Sequence, residues 1–226
     1  WVATFFATFL ASTTLRLMLF NLKPSVQASL RYTGHALAIS LLLVNSAIAQ
    51  NQSDSSLTRL AGSQFDRAAI MILGDSISAG YGIQREQGWV QLLARTLTES
   101  ELPWDTVNAS ISGETSSGAL ARLPDLLNTH SPKLLVIELG GNDGLRGYPT
   151  EIMQKNLAQI VELARAAGAE PVIMAMRIPP NYGPRYTLAF ETVYRDISTE
   201  FDLLYIPFFL EELAVEPGMM QSDGIH

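Results

Sequence analysis

Apolar and polar positions alternate along this chain in two different periods. Short apolar runs recur at Ala68 to Leu73, Thr106 to Ala109, Leu134 to Leu139, Val172 to Met176 and Leu203 to Ile206, each of a length and content that predicts a buried strand. Between them the period lengthens. Trp89 to Thr98 and Ile152 to Ala167 carry apolar residues at three- and four-residue spacing, and Gly168 stands where a helix C-cap is expected. Gly118 to Thr129 also predicts a helix, with Pro124 starting or bending its second half. Thr187 to Glu200 predicts another. Strand and helix in alternation imply a parallel sheet covered by right-handed crossovers. The expected fold is α/β, a flavodoxin-like three-layer α/β/α sandwich with a mostly parallel five-stranded sheet, whose ligand sites gather at the strand C-termini.

The first third of the chain has another character. Residues 50–66 are polar and Ser-rich, a linker, and residues 1–49 contain no acidic residue at all. Within them Arg31 to His35 reads as a basic start, Ala36 to Val44 as an apolar stretch and Ala47-Ile48-Ala49 as a small-x-small cleavage site. Such an order marks a signal peptide, with export to the periplasm or medium expected after cleavage near Ala49/Gln50. An uncleaved anchor is the rival reading. Trp1 to Phe20 reads as a second membrane segment or as sequence upstream of the true start, with Met18 as a candidate initiator.

Length and 47% hydrophobic content suit one core in residues 67–226. From Gln50 onward there are 12 basic and 22 acidic residues, a formal net charge of −10. That disfavours nucleic acid and charge-driven adhesion to anionic lipid. Without cysteine there is no thiol nucleophile, disulfide or His/Cys zinc pattern, so no metal is expected. No phosphate-binding glycine pattern is present, and no cofactor is expected.

The candidate chemistry lies behind the first apolar run, where Gly74-Asp75-Ser76 ends the predicted strand. Such a tripeptide is often a plain turn. A catalytic serine needs an imidazole to take its proton and a third group to hold that imidazole, and Asp223 and His226, three residues apart, supply both. Only three histidines exist. His35 falls in the leader and His130 at a predicted helix C-terminus, where it suits the helix dipole, which leaves His226. No Gly-x-Ser-x-Gly elbow surrounds Ser76, which argues against the larger α/β-hydrolase fold.

Four blocks in order resemble the SGNH, or GDSL-type, hydrolases, and among them the acyl-CoA thioesterase I / lysophospholipase L1 / arylesterase group. They are Ile72-Leu73-Gly74-Asp75-Ser76-Ile77-Ser78-Ala79-Gly80-Tyr81-Gly82, Asn108-Ala109-Ser110-Ile111-Ser112-Gly113-Glu114-Thr115, Glu138-Leu139-Gly140-Gly141-Asn142-Asp143-Gly144, and Asp223-Gly224-Ile225-His226. The resemblance covers about residues 68–226 and implies Ser76 as nucleophile, His226 as base and Asp223 as its orienting acid. It also implies an oxyanion hole formed by the Ser76 and Gly113 N–H groups and the Asn142 amide. Fixed donors of this kind are usually the largest catalytic term in acyl transfer. Asp75 and Asp143 read instead as loop formers bonding neighbouring amides.

Two loops are expected to shape the substrate site. One carries Leu145, Arg146 and Tyr148, where the resemblance implies a switch loop on the acyl chain; the other, stiffened by three prolines, offers Pro180 and Tyr182 as apolar wall. The implied protein is a serine esterase/thioesterase acting on medium- to long-chain acyl esters or thioesters, a monomer with no nucleic-acid or stable membrane partner. A carbohydrate deacetylase on the same fold and a noncatalytic flavodoxin-like binding module are the alternatives. The resemblance further implies a proline and a final helix after His226, so the chain is expected to be truncated there, with a frayed His226 loop and apolar sheet surface exposed.

Overall fold

The run Ala68–Gly74 forms the central strand β1, and every neighbour in its sheet runs parallel to it. The computed structural model describes residues 67 to 226 apart from Glu212; the leader and linker expected over 1–49 and 50–66 lie outside the described residues. After β1 come α1 (Ser76–Ala79), α2 (Trp89–Glu99), β2 (Trp104–Asn108), α3 (Ser116–His130), β3 (Leu134–Glu138), α4 (Gly141–Leu145), α5 (Thr150–Ala166), β4 (Glu170–Met174), α6 (Pro184–Glu200) and β5 (Leu204–Ile206). The five strands lie in the order β2-β1-β3-β4-β5. Because strand order reverses direction at β1, the loops after β1, β2 and β3 open onto one crevice at the carboxyl edge.

Side chains alternate across the sheet. Met71, Leu73, Leu135, Ile137 and Ile173 join one core with Leu123 and Leu127 of α3, Leu157, Ile160 and Val161 of α5, and Phe190, Val193 and Ile197 of α6. On this side α5 packs between α3 and α6. The opposite set, Ile70, Ile72, Leu134, Val136, Val172 and Met174, is at most 1% exposed. In addition, α2 packs against β2 and buries Val90, Leu93 and Leu97.

Local chemistry accounts for the element ends that periodicity missed. Thr115 caps α3 by accepting the Gly118 N–H, so the helix starts at Ser116 rather than Gly118. α6 begins three residues earlier than expected because Pro184 occupies its first turn, where a missing N–H is harmless. β2 begins at Trp104 rather than Thr106; Asp105 masked the pattern, yet it pairs with Arg67 at 2.6 Å.

Register sets the level of the site. Gly74 lies opposite Glu138 across β1 and β3, and the Ile111 N–H reaches the Gly74 carbonyl at 3.1 Å. Three loops thus leave the sheet at one height.

Candidate active site

The turn after β1 is shaped by what lies under it. Asp75 caps α1 by accepting the Ile77 N–H at 3.1 Å, which makes Ser76 the first residue of that helix. The Ser76 N–H has no acceptor among the described residues. Gly74 must be glycine: a Cβ there would stand 2.6 Å from Glu138 Oε2 and 2.7 Å from Ser78 Cβ.

Ser76, His226 and Asp223 form one hydrogen-bonded chain. His226 Nε2 lies 2.7 Å from Ser76 Oγ, and His226 Nδ1 lies 2.6 Å from Asp223 Oδ2. The other Asp223 oxygen accepts the His226 and Ile225 N–H groups, both at 3.0 Å. These backbone bonds first, and then the imidazole, hold the Asp223 carboxyl well below the usual range. An ionised Asp223 keeps the imidazole proton on Nδ1, which leaves Nε2 to accept the serine proton.

Residues 221–226, the segment expected to fray, make these contacts. The Gln221 N–H donates to the His226 carbonyl, Gln221 Nε2 donates to the Tyr81 carbonyl at 2.8 Å, and the Tyr81 ring lies 4.6 Å from the imidazole, centre to centre. His130 is the last residue of α3, as expected for a dipole partner.

The expected oxyanion donors occupy the neighbouring loops. Gly113 has φ of 80°, which a side chain would resist, and its N–H has no acceptor among the described residues. Asn142, in the first turn of α4, points one amide proton toward Asp75 Oδ2 at 3.4 Å. A second proton on that nitrogen remains.

Three carboxyl groups are buried here, and sequence reading weighed only two of them. Asp75 is pushed up to about 6 by burial. Glu138 is fully buried and raised well above the usual range by burial and by the Asp75 charge. Ser78 donates to Glu138 Oε2 at 2.5 Å and accepts from Trp89 Nε1 at 3.1 Å, while the Asp75 N–H approaches the same Glu138 oxygen at 3.4 Å. Glu138 Oε1 has no partner among the described residues, which disfavours a charge on it. Asp143 bonds Ser116 across the fold rather than a neighbouring amide, at 2.9 Å to the N–H and 2.6 Å to the hydroxyl.

The two expected substrate loops are joined to each other. The Tyr182 hydroxyl donates to the Leu145 carbonyl at 2.7 Å and the Tyr186 hydroxyl to the Tyr148 carbonyl at 2.6 Å. Arg146 turns to the Gly113 carbonyl at 3.0 Å. Pro180 opens a short turn ending at Tyr182. Beside these loops lies an open groove of about 410 Å³ lined by Pro149, Thr150, Tyr182, Tyr186 and Ala189 among others; Leu145, Arg146, Tyr148 and Pro180 do not line it. Among the described residues no group of His, Cys, Asp or Glu is arranged to hold a metal, and no helix is long and apolar enough to cross a membrane.

A serine, a histidine and an aspartate hydrogen-bonded in that order at the carboxyl edge of a parallel sheet form the arrangement that serine hydrolases use. Residues 72–226 match the model of the GDSL-like lipase/acylhydrolase family, and the chain belongs to that family. It is 49% identical over 170 residues to the esterase TesA of Pseudomonas aeruginosa, covering 75% of this chain and 83% of that protein. It is 47% identical over 157 residues to the thioesterase 1/protease 1/lysophospholipase L1 of Escherichia coli K12, covering 70% and 74%. The crystal structure of psychrotrophic esterase EstA from Pseudoalteromonas sp., inhibited by monoethylphosphonate, is similar with a TM-score of 0.68 and 46% identity, covering 70% of this chain and 86% of that one. The protein is thus a serine ester hydrolase of the GDSL type, on the expected α/β fold.

Proposed function

We propose that the protein hydrolyses medium- to long-chain acyl esters and thioesters through an acyl-enzyme on Ser76. The observation that carries this reading is the continuous chain of hydrogen bonds from Ser76 Oγ through His226 to Asp223, at 2.7 and 2.6 Å. Ser76 Oγ attacks the acyl carbon as its proton passes to His226 Nε2. The negative charge that develops on the acyl oxygen is met by the Ser76 and Gly113 N–H groups and the Asn142 amide. Collapse breaks the bond to the leaving oxygen or sulfur, which takes the proton back from His226. Water, deprotonated by the same imidazole, then releases the acid and restores the Ser76 hydroxyl. Every step moves a proton or an electron pair between groups named here, so no cofactor enters. Tyr182 in the groove, with Leu145, Arg146, Tyr148 and Pro180 on the adjoining loops, are the side chains assigned to the acyl chain. We place the enzyme in the periplasm or outside the cell, acting as a monomer on small-molecule substrates.

Hydrolysis of an acyl series from acetyl to palmitoyl, on oxyester and thioester leaving groups and beside an acetylated sugar, tests the reading. Rates rising with chain length on both leaving groups are expected, and a phosphonate should add one mass increment, at Ser76, which Ser76→Ala loses. Preference for the acetylated sugar would make the protein a deacetylase, and labelling elsewhere would remove Ser76 from its role. N-terminal sequencing of the exported protein should begin at Gln50; retention of residues 36–49 on active, membrane-bound protein would favour an anchor.

A further inference from the structure

The two donors assigned to the oxyanion, Gly113 and Asn142, belong to loops 29 positions apart in sequence, and their separation is not set by either loop alone. Asp143, immediately after Asn142, supplies the link. Its side chain is only 3% exposed, and each oxygen holds a different group of Ser116: Oδ2 accepts the N–H at 2.9 Å and Oδ1 accepts the hydroxyl at 2.6 Å. Ser116 is fully buried, three residues after Gly113, and its hydroxyl oxygen also accepts Asn156 Nδ2 at 2.9 Å from α5. Neither Asp143 nor Ser116 bonds to Ser76, His226 or Asp223. A second tie runs outside the first, from Arg146 Nη2 to the Gly113 carbonyl at 3.0 Å.

We infer that Asp143 is a positioning residue, which through Ser116 holds the Asn142 amide and the Gly113 N–H at the separation the oxyanion requires. This rests on the oxyanion roles proposed above. Electrostatic stabilisation of a transition state depends on donors held within about 0.5 Å of their working positions, and a loop after β2 and a short helix after β3 do not fix their mutual distance by themselves. A carboxylate does it well because its two oxygens fix two donors of one residue in a single plane. The same contact also covers the first orphan N–H of α3. A structural cap would lower stability when lost, whereas a positioning residue lowers turnover in a way that depends on Asn142.

The test uses Ser116→Ala, which removes one of the two bonds and keeps the backbone one, and Asp143→Asn, each alone and combined with Asn142→Ala. Expected for each single variant is a fall in kcat of about tenfold with KM within about twofold. In the Asn142→Ala background the same substitutions should cost less than about threefold, because the donor they place is gone. Affinity for a trifluoromethyl ketone, whose adduct carries the oxyanion, should fall in step with kcat/KM, while inhibition by the free fatty acid stays unchanged. Full additivity with Asn142→Ala, or a lower melting temperature with unchanged kcat, would overturn the inference. If Asp143→Asn does not fold, Ser116→Ala carries the same comparison. An Asn142→Ala variant with normal kcat would instead sink the oxyanion hole itself.

Discussion

Asp75 and Asp223 flank one serine–histidine pair, and the protein treats the two carboxyl groups in opposite ways. Asp75 is 2% exposed and burial pushes it up to about 6. Asp223 lies at the surface and is held well below the usual range by two backbone N–H groups and the imidazole. Burial alone would suggest the first as the buried acid of a triad. Geometry decides otherwise, because only Asp223 meets Nδ1 of His226. Asp75 is raised chiefly by burial, which the Ile77 N–H and a long contact from Asn142 offset only in part, whereas Asp223 stands in solvent with three donors aimed at it. Asp75 caps the turn, and in the proposed mechanism Asp223 serves the base.

Exchanging each for its amide separates these roles most sharply. Asp223→Asn should lower kcat by about a thousandfold or more, since an amide at that place no longer holds the imidazole in the tautomer with Nε2 free. Asp75→Asn should stay within about tenfold of the parent, because the Ile77 N–H can still be accepted and no proton transfer passes through it. Steady-state kinetics on one ester decides it. Comparable losses in the two variants would mean that Asp75 takes part in the chemistry.

The smaller half of the comparison concerns what lies beneath Asp75. Glu138 is neutral in this reading, so Glu138→Gln should keep the fold, with a melting temperature within a few degrees. Glu138→Ala takes the acceptor from Ser78 and leaves a cavity beneath the nucleophile turn, at a cost of about 2 to 4 kcal/mol. Denaturant titration of the two variants measures this. A glutamine variant as unstable as the alanine would show that Glu138 carries charge.

These acids also mark how far the chain could be read without its fold. The strand Ile70 to Leu73 and the turn carrying Ser76 were legible, because a buried strand is a local pattern and its exit is the site. Asp223 and His226 were legible because they lie three residues apart. Glu138 was not: it ends an apolar run like any strand-terminal polar residue, and its burial depends on the space left by Gly74 on the next strand. Asp143 was misread as a local turn former for the same reason, since Ser116 meets it only once β2 and β3 are both in register with β1. The bond from Arg146 to the Gly113 carbonyl, another contact between segments distant in sequence, was not legible either. Helix starts at Pro184 and Ser116 moved because caps and first-turn prolines overrule the apolar period.

The smallest expected effect is a slope in stability with pH, and it follows from the sign of the Asp75 shift. A folded value of about 6 against an ordinary 3.8 means that between these limits the folded protein retains a proton that the unfolded chain has released. The stabilisation is complete below the ordinary value, fades as pH rises and is gone above about 6. The groups facing Asp75 are His226, Glu138 and Asn142, with Tyr194 behind them. Glu138 is raised too, so it adds a slope of the same sign. Asp223 has the opposite sign, but its contribution changes only in acid, where the unfolded carboxyl takes up protons, and is constant from pH 5 to 8. Wild-type protein should therefore melt lower at pH 8 than at pH 5. Asp75→Asn, which cannot ionise, should flatten that difference by removing both its own charge and the repulsion it exerts on Glu138. Calorimetry on both proteins at the two pH values measures the slopes. Equal slopes would show that Asp75 is ionised across the whole range, and the contrast with Asp223 would then lie in hydrogen bonding alone.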